Sequence, residues 1–440
     1  MVADSSVDIR APRDSTFGRP RFQNGLLIET SMIFSSDAPE HKKVKFHPRI
    51  LGSPAPMFPG YDVDICDHVD DDDKPDAVWH RERAKKMVKS HPEIKQLFGN
   101  TPGTAFWCLL FVALHLTLAW AVSLGPWWVM LLVAYVVGSW ANINLFQLAH
   151  ECNHNLVFKK TIWNRWLFSI TTLPMFLSAH HTWWIEHHVH HNDLGAKKDF
   201  ITRRRTAFLL TRQHKYFGCT RGWIYRLGCI LFSPVFMPYS LIMLVMQFFR
   251  SFLGLIVYFF GSLLRGRLDP GPVALSILAE EHLISGYEKY GTKRWAVWYP
   301  LLSFMMTGVL FWFGGWMSLV YLLLSQAFTT GFLHPHNFGI ILSNSHFHGH
   351  SRYQPSSSLY GWSNWLYFNF GLHTEHHDIM GIPWHRLGKL RQIAPEFYDD
   401  LVITKSYLSL AFKFILGSAA TLEEKFDNQD HRNQEFLKVE

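Results

Sequence analysis

The sequence predicts an all-α fold: a polytopic membrane protein with four transmembrane helices, paired as two hairpins, and a histidine-rich helical cap on the cytosolic side. Two observations carry this. Gln96 to His150 and Trp295 to Ser351 contain no Asp, Glu, Lys or Arg, and each run is long enough for two spans of about 20 residues. Sixteen of the chain's 26 histidines fall in two windows, His150 to His191 and His334 to His377, where those apolar runs give way to polar sequence.

Composition agrees: 48% of the 440 residues are hydrophobic and 16% aromatic, which favours the membrane reading. The net charge of +7 suits an anionic membrane surface or an acidic protein partner, and no pattern calls for nucleic acid. The five cysteines, Cys66, Cys108, Cys152, Cys219 and Cys229, form no CxxC pair, so neither a disulfide framework nor a thiolate cluster is expected.

Taken in order, residues 1–78 are expected to form a disordered or loosely docked extension, since they lack an apolar period and include the acidic run Asp70 to Asp73. No removable signal peptide is expected there. Residues 79–402 form the membrane domain and 403–440 a tail. Trp79 to Phe98 reads as a short basic helix broken before Pro92, lying on the cytosolic membrane face.

Gly125-Pro126 divides the first uncharged run into spans at 104–124 and 127–148, with Trp120, Trp127 and Trp128 forming an aromatic belt at the far interface. Gly314-Gly315 divides the second into spans at 295–313 and 316–333. Neither turn carries Lys or Arg, whereas the stretch after the first histidine window holds Lys197, Lys198, Arg203, Arg204, Arg205, Arg212 and Arg221. The positive-inside rule therefore puts both histidine windows in the cytosol. Between the hairpins, Leu227 to Leu264 is apolar but interrupted by Pro234, Pro238 and Arg250, and is expected to form interfacial helices. A third hairpin is the alternative. Arg265 to Arg294 is a polar excursion.

The chemistry lies in three clusters. His150 and His154 are four apart and share one helix face. His187, His190 and His191 repeat the spacing i, i+3, i+4, and so do His373, His376 and His377. Eight imidazoles exceed what one tetrahedral ion takes, so two metals are implied, although ligand type alone does not choose the metal. A ninth ligand is sought among His334, His336, His346, His348 and His350, with His346 preferred and His334 in reserve. Glu151, Glu186, Glu375 and Asp378 flank the clusters, where carboxylates commonly accept the second imidazole N–H. His188 is read as a bystander, and His115, alone in mid-span, as a packing residue.

His150-Glu151-Cys152-Asn153-His154 also satisfies H-E-x-x-H, the zinc metalloprotease pattern. That rival leaves both His-x-x-His-His clusters unexplained. A metal transporter is a second rival, but its ligands should sit near the midplane of the spans rather than beyond their ends.

Together the boxes and spans resemble the membrane fatty-acid desaturase and hydroxylase superfamily, and within it the sphingolipid delta-4 desaturases. His91-Pro92-Glu93-Ile94-Lys95, Trp163-Asn164-Arg165-Trp166, Leu333-His334-Pro335, Asn369-Phe370-Gly371 and Leu390-Arg391-Gln392-Ile393-Ala394-Pro395-Glu396-Phe397 are similar to that branch. Asn344-Ser345-His346-Phe347 departs from it, where the family tends to show Glu-His-Tyr. The resemblance implies two non-haem iron ions, O2 as oxidant, and electrons from cytochrome b5 and an NAD(P)H-dependent reductase. It also implies dihydroceramide as substrate, residence in the endoplasmic reticulum membrane and, as the alternative outcome, lipid C4-hydroxylation.

Overall fold

The computed structural model describes residues 22–23, 26–27, 75–175, 179–192, 194, 237–268, 271–278, 294–330, 334–344, 355–401 and 403–416. The expected disorder of residues 1–78 and the tail beyond 416 fall almost wholly outside them. Among the described residues the regular structure is helical, apart from a two-residue antiparallel pairing of Phe22–Gln23 with Leu26–Leu27 and one bridge between Leu359 and Thr404.

Among the described residues four helices are long and apolar enough to cross a membrane, and the chain is a membrane protein. α2 (Thr104–Ser123) and α3 (Trp127–Asn153) meet at Gly125-Pro126, where Pro126, extended at φ −69° and ψ 145° and without an N–H to continue α2, is the N-cap of α3. Their other ends also meet, because Thr101 N–H donates to Leu156 C=O at 2.7 Å and Asn100 Nδ2 to Asn155 C=O at 2.8 Å. A π-helical turn, Ala134–Gly138, interrupts α3. Trp120, Trp127 and Trp128 are exposed around the Gly125 turn.

The third and fourth expected spans lie in one element, α8 (Trp295–Thr330), which leaves helical geometry at Gly315 with φ 60° and ψ −165°. Ser318 Oγ donates to Leu310 C=O at 3.1 Å, eight residues earlier. In a straight helix that interval would cover about 12 Å, so the helix is sharply kinked at Gly314-Gly315. Trp312, Phe313 and Trp316 are exposed around this bend.

Of the stretch Leu227 to Leu264, expected to form interfacial helices, only the part from Met237 is described. Residues 227–236 lie outside the described set, and from Met237 one continuous helix, α6 (Met237–Arg265), contains a fourth candidate span, Phe248–Arg265. Arg250 is tolerated because it stands near the start of that span, with Nε donating to Ile277 C=O of α7 (Pro272–Leu278) at 2.6 Å. The charge counted as a break is a tie between two helices.

Over one end of α2 and α3 sits the cap: α1 (Pro75–Ser90), α4 (Thr161–Thr172), α5 (Ala179–Asn192), α9 (Pro335–Asn344), α10 (His373–Asp378), α11 (Trp384–Ile393) and α12 (Tyr407–Leu416). α1 and the turn after it pack on the carboxy-terminal segment through Met87, Ile94, Leu97, Leu372, Leu390 and Tyr398. A second apolar cluster joins α2, α3, α4 and α5 through Cys108, Phe111, Leu145, Leu148, Phe168 and Trp183. The first histidine pair stands where these clusters meet.

Candidate metal centre

His150 lies in the last turn of α3 and His154 is its C-cap. The helix stops there because Asn155 takes the left-handed conformation, φ 58°, one of the few non-glycine side chains that does so readily. Asn155 N–H then donates to Cys152 C=O at 3.0 Å and Leu156 N–H to Glu151 C=O at 3.0 Å, the paired bonds of a Schellman ending. This turns the chain away and leaves both imidazoles at the helix tip.

The second trio sits in the last turns of α5 and the third on α10. Left-handed Phe368 (φ 48°) and Asn369 (φ 58°) steer the chain into α10. Glu375 anchors it by accepting Ser358 Oγ–H at 2.5 Å and Tyr360 O–H at 2.6 Å, and burial pushes the Glu375 carboxyl upward.

Five imidazoles from all three boxes converge. The ligand nitrogens of His150, His154, His187, His191 and His376 lie within 4.8 Å of one another. His154 Nε2 is 2.8 Å from His187 Nε2, which is 3.0 Å from His191 Nε2, itself 3.1 Å from His376 Nε2. His377 lies alongside, its ring centroid 4.2 Å from that of His191, 5.1 Å from His190 and 4.5 Å from His373. Eight of the nine expected ligands thus form one continuous body of imidazoles, five of them around a common point and His190, His373 and His377 at its side. His346 lies outside the described residues.

The donor set fits transition-metal ions. Burial, reinforced by neighbouring histidines, holds His154, His187, His191 and His376 well below the usual imidazole range, so they are neutral, the form a metal ligand requires. His150 Nδ1 is buried with no hydrogen-bond partner, an orphaned acceptor or donor that such an ion would satisfy. Trp183 gives the group an apolar floor, its ring 4.4 Å from Phe146, 5.7 Å from Phe168 and 4.9 Å from His187.

The remaining residues singled out from the sequence fall elsewhere. Glu151 and Glu375 are not bonded to the clustered imidazoles: Glu151 Oε2 accepts the Trp384 N–H at 3.1 Å, and Glu375 holds the two hydroxyls above. One Glu151 oxygen is thus engaged with the main chain. His188 stands outside the five, 5.7 Å from the Trp184 ring, with its imidazole pushed down to about 3 by burial. His115 Nδ1 is 3.3 Å from Tyr321 Oη, a packing contact between α2 and α8. His334 Nδ1 accepts Asn337 N–H at 3.3 Å at the start of α9, and His336 stacks on Tyr367 with centroids 5.5 Å apart.

Sequence reasoning missed His80. It is buried on α1, its Nδ1 2.6 Å from Asp378 Oδ1 and its ring 5.2 Å from that of His377. Its setting, Trp79-His80-Arg81-Glu82-Arg83, reads as a charged surface helix, and no local spacing ties it to a box.

Residues 125–408, more than half the chain, match the family model described as fatty acid desaturase. The chain belongs to the fatty acid desaturase family. It is therefore an oxidoreductase of that family, embedded in a membrane. A second model, described as sphingolipid Delta4-desaturase (DES), matches residues 71–103, within the amino-terminal part that the first leaves uncovered. Among similar proteins, the sphingolipid delta(4)-desaturase of Schizosaccharomyces pombe is 30% identical over 77% of this chain and 82% of its own. The rice protein named sphingolipid delta(4)-desaturase DES1-like is 28% identical over 80% and 92%. The human sphingolipid delta(4)-desaturase/C4-monooxygenase DES2 is 27% identical over 76% and 88%.

Proposed function

We propose that this desaturase introduces the trans double bond at position 4 of the long-chain base of dihydroceramide. The carrying observation is the convergence of five imidazoles from three separate boxes, in a chain similar along most of its length to proteins named sphingolipid delta(4)-desaturases. The ligands proposed for two non-haem irons are His150, His154, His187, His190, His191, His373, His376 and His377, with His346 as the ninth. The reaction removes one hydrogen from each of two adjacent carbons; with two electrons and two protons supplied, O2 is reduced to two waters. Bound iron would supply the oxidising power for that chemistry.

What the chain's own residues do follows from their placement. Burial keeps the imidazoles beyond the spans unprotonated, while Glu375, Ser358 and Tyr360 hold α10 against the other boxes. Trp183 and Phe146 exclude water from the side facing the spans. An acyl chain reaching the cluster between apolar helices would meet it at one end of the bundle. Electrons are proposed to come from cytochrome b5 and an NAD(P)H-dependent reductase, in the endoplasmic reticulum membrane with the boxes cytosolic.

The second reading is C4-hydroxylation, which shares the first hydrogen abstraction; it is favoured by the names of the human relative and of a Caenorhabditis elegans relative, putative sphingolipid delta(4)-desaturase/C4-monooxygenase, 26% identical. Expression in a host lacking long-chain-base desaturation, followed by lipid profiling, separates them. A delta-4 unsaturated base supports the first reading and a C4-hydroxylated base the second. No new product would overturn both.

A further inference from the structure

We infer that the amino-terminal segment Pro75–Phe98 positions the third histidine box, with His80 as the residue that orients His377; this rests on His377 being a metal ligand, as proposed above.

The argument turns on Asp378, next to His377. Its side chain is fully buried, where an uncompensated carboxylate would be costly. Three donors meet it. His80 Nδ1 lies 2.6 Å from Oδ1, Arg83 Nη2 3.1 Å from Oδ2, and Tyr398 Oη 3.0 Å from Oδ2. Two of the three come from α1, across 298 and 295 positions of sequence. Arg83 also donates to Phe397 C=O at 2.7 Å, so one guanidinium ties the carboxylate to the chain beyond α11.

His80 does more than share that bond. Its second nitrogen, Nε2, is 3.1 Å from Ser356 Oγ, which lies 3.2 Å from Thr374 Oγ1, inside the third box. With both ring nitrogens engaged, the imidazole has one orientation and no nitrogen left for an ion. Its face lies against His377, centroids 5.2 Å apart and planes tilted by 35°. A strap that only held the cap together would need Arg83 and the apolar contacts of Met87, Ile94 and Leu97. It would not need an aromatic ring fixed at both ends against a ligand ring. A ring held at both ends limits, by contact, the positions open to the His377 ring. The segment also coincides with the match at residues 71–103, which the general desaturase match at 125–408 leaves out.

The test separates packing from positioning. His80→Asn keeps an amide N–H where Nδ1 donates to Asp378 but removes the ring from His377; His80→Ala removes both. Each full-length protein is purified in detergent, its thermal midpoint recorded, and its uptake of cobalt(II) followed by d–d absorption beside iron per chain. The expected result is a midpoint near the parent's for His80→Asn, with cobalt affinity lowered about 10- to 100-fold and a shifted d–d spectrum, and a larger loss for His80→Ala. A His80→Asn protein with the parent's spectrum and affinity overturns the proposal, as does one that loses thermal stability with its spectrum unchanged. A parent chain that takes up neither cobalt nor iron overturns the metal reading itself, and this inference with it.

Discussion

His376 Nε2 stands 3.1 Å from His191 Nε2, although 185 positions separate the two residues. Two nitrogens each about 2.1 Å from one ion, at bond angles between a right angle and the tetrahedral value, are about 3.0–3.4 Å apart. The pair has that separation, as does His191 with His187 at 3.0 Å, while His154 and His187 stand closer, at 2.8 Å. His191→Ala and His376→Ala should each lower bound iron and abolish turnover in a folded protein. His188→Ala, which removes an imidazole outside the five, should keep both. Metal content by mass spectrometry checks this, and undiminished iron in the first two variants would remove the ligand assignment.

Glu151 discriminates between the desaturase and the H-E-x-x-H protease reading. Its Oε2 accepts the Trp384 N–H, a task a glutamine carbonyl oxygen also performs. Glu151→Gln should therefore retain most desaturation activity, whereas a protease base would be lost. Glu151→Ala leaves a buried N–H unpaired and should cost about 1–3 kcal/mol of stability. The measurements are product yield and thermal midpoint in the same preparations.

The bend in α8 depends on Gly315, whose φ of 60° and ψ of −165° lie in a region that essentially only glycine occupies. Gly315→Ala should destabilise the protein by about 1–3 kcal/mol, with Gly308→Ala, where an added methyl meets nothing, as the neutral comparison. Thermal unfolding in detergent reads both.

Gly339 is close-packed for a different reason. A methyl group there would overlap the main-chain carbonyl of Tyr407, so α9 and α12 touch backbone to backbone. Gly339→Ala should push the two helices apart at a cost of about 1–3 kcal/mol, visible as faster proteolysis of the carboxy-terminal segment.

A pH effect is expected from the exposed pair His91 and Glu396, whose Nε2 and Oε1 are 2.5 Å apart. The hydrogen bond to Glu396 raises His91 above its ordinary 6.5, and the bond to His91 lowers Glu396 below 4.5. The histidine's contribution is complete below 6.5 and disappears as pH rises through its raised value. The glutamate's is complete above 4.5 and disappears as pH falls through its lowered value. The pair therefore stabilises the fold most between 4.5 and 6.5. Glu396→Gln should lower the thermal midpoint inside that window and approach the parent only once pH has risen through the raised His91 value; an offset independent of pH would show that the bond contributes only as a contact.

By itself the sequence determined whatever depends on neighbouring residues. The uncharged runs marked α2, α3 and α8 because a bilayer excludes charge over a fixed length, and the i, i+3, i+4 spacings put imidazoles on common faces because the helix repeat is local. It read Arg250 as a break, where α6 runs on as one helix and the arginine meets the Ile277 carbonyl. Only the tertiary structure decided which five imidazoles share one point, which carboxylates turn away to Trp384, Ser358 and Tyr360, and that His80 stands behind His377. The physical reason is the same throughout. A contact across nearly 300 residues, such as His80 with Asp378 at a separation of 298, leaves no period or spacing in the chain, because it depends on how whole helices pack and not on the order of residues within any one of them.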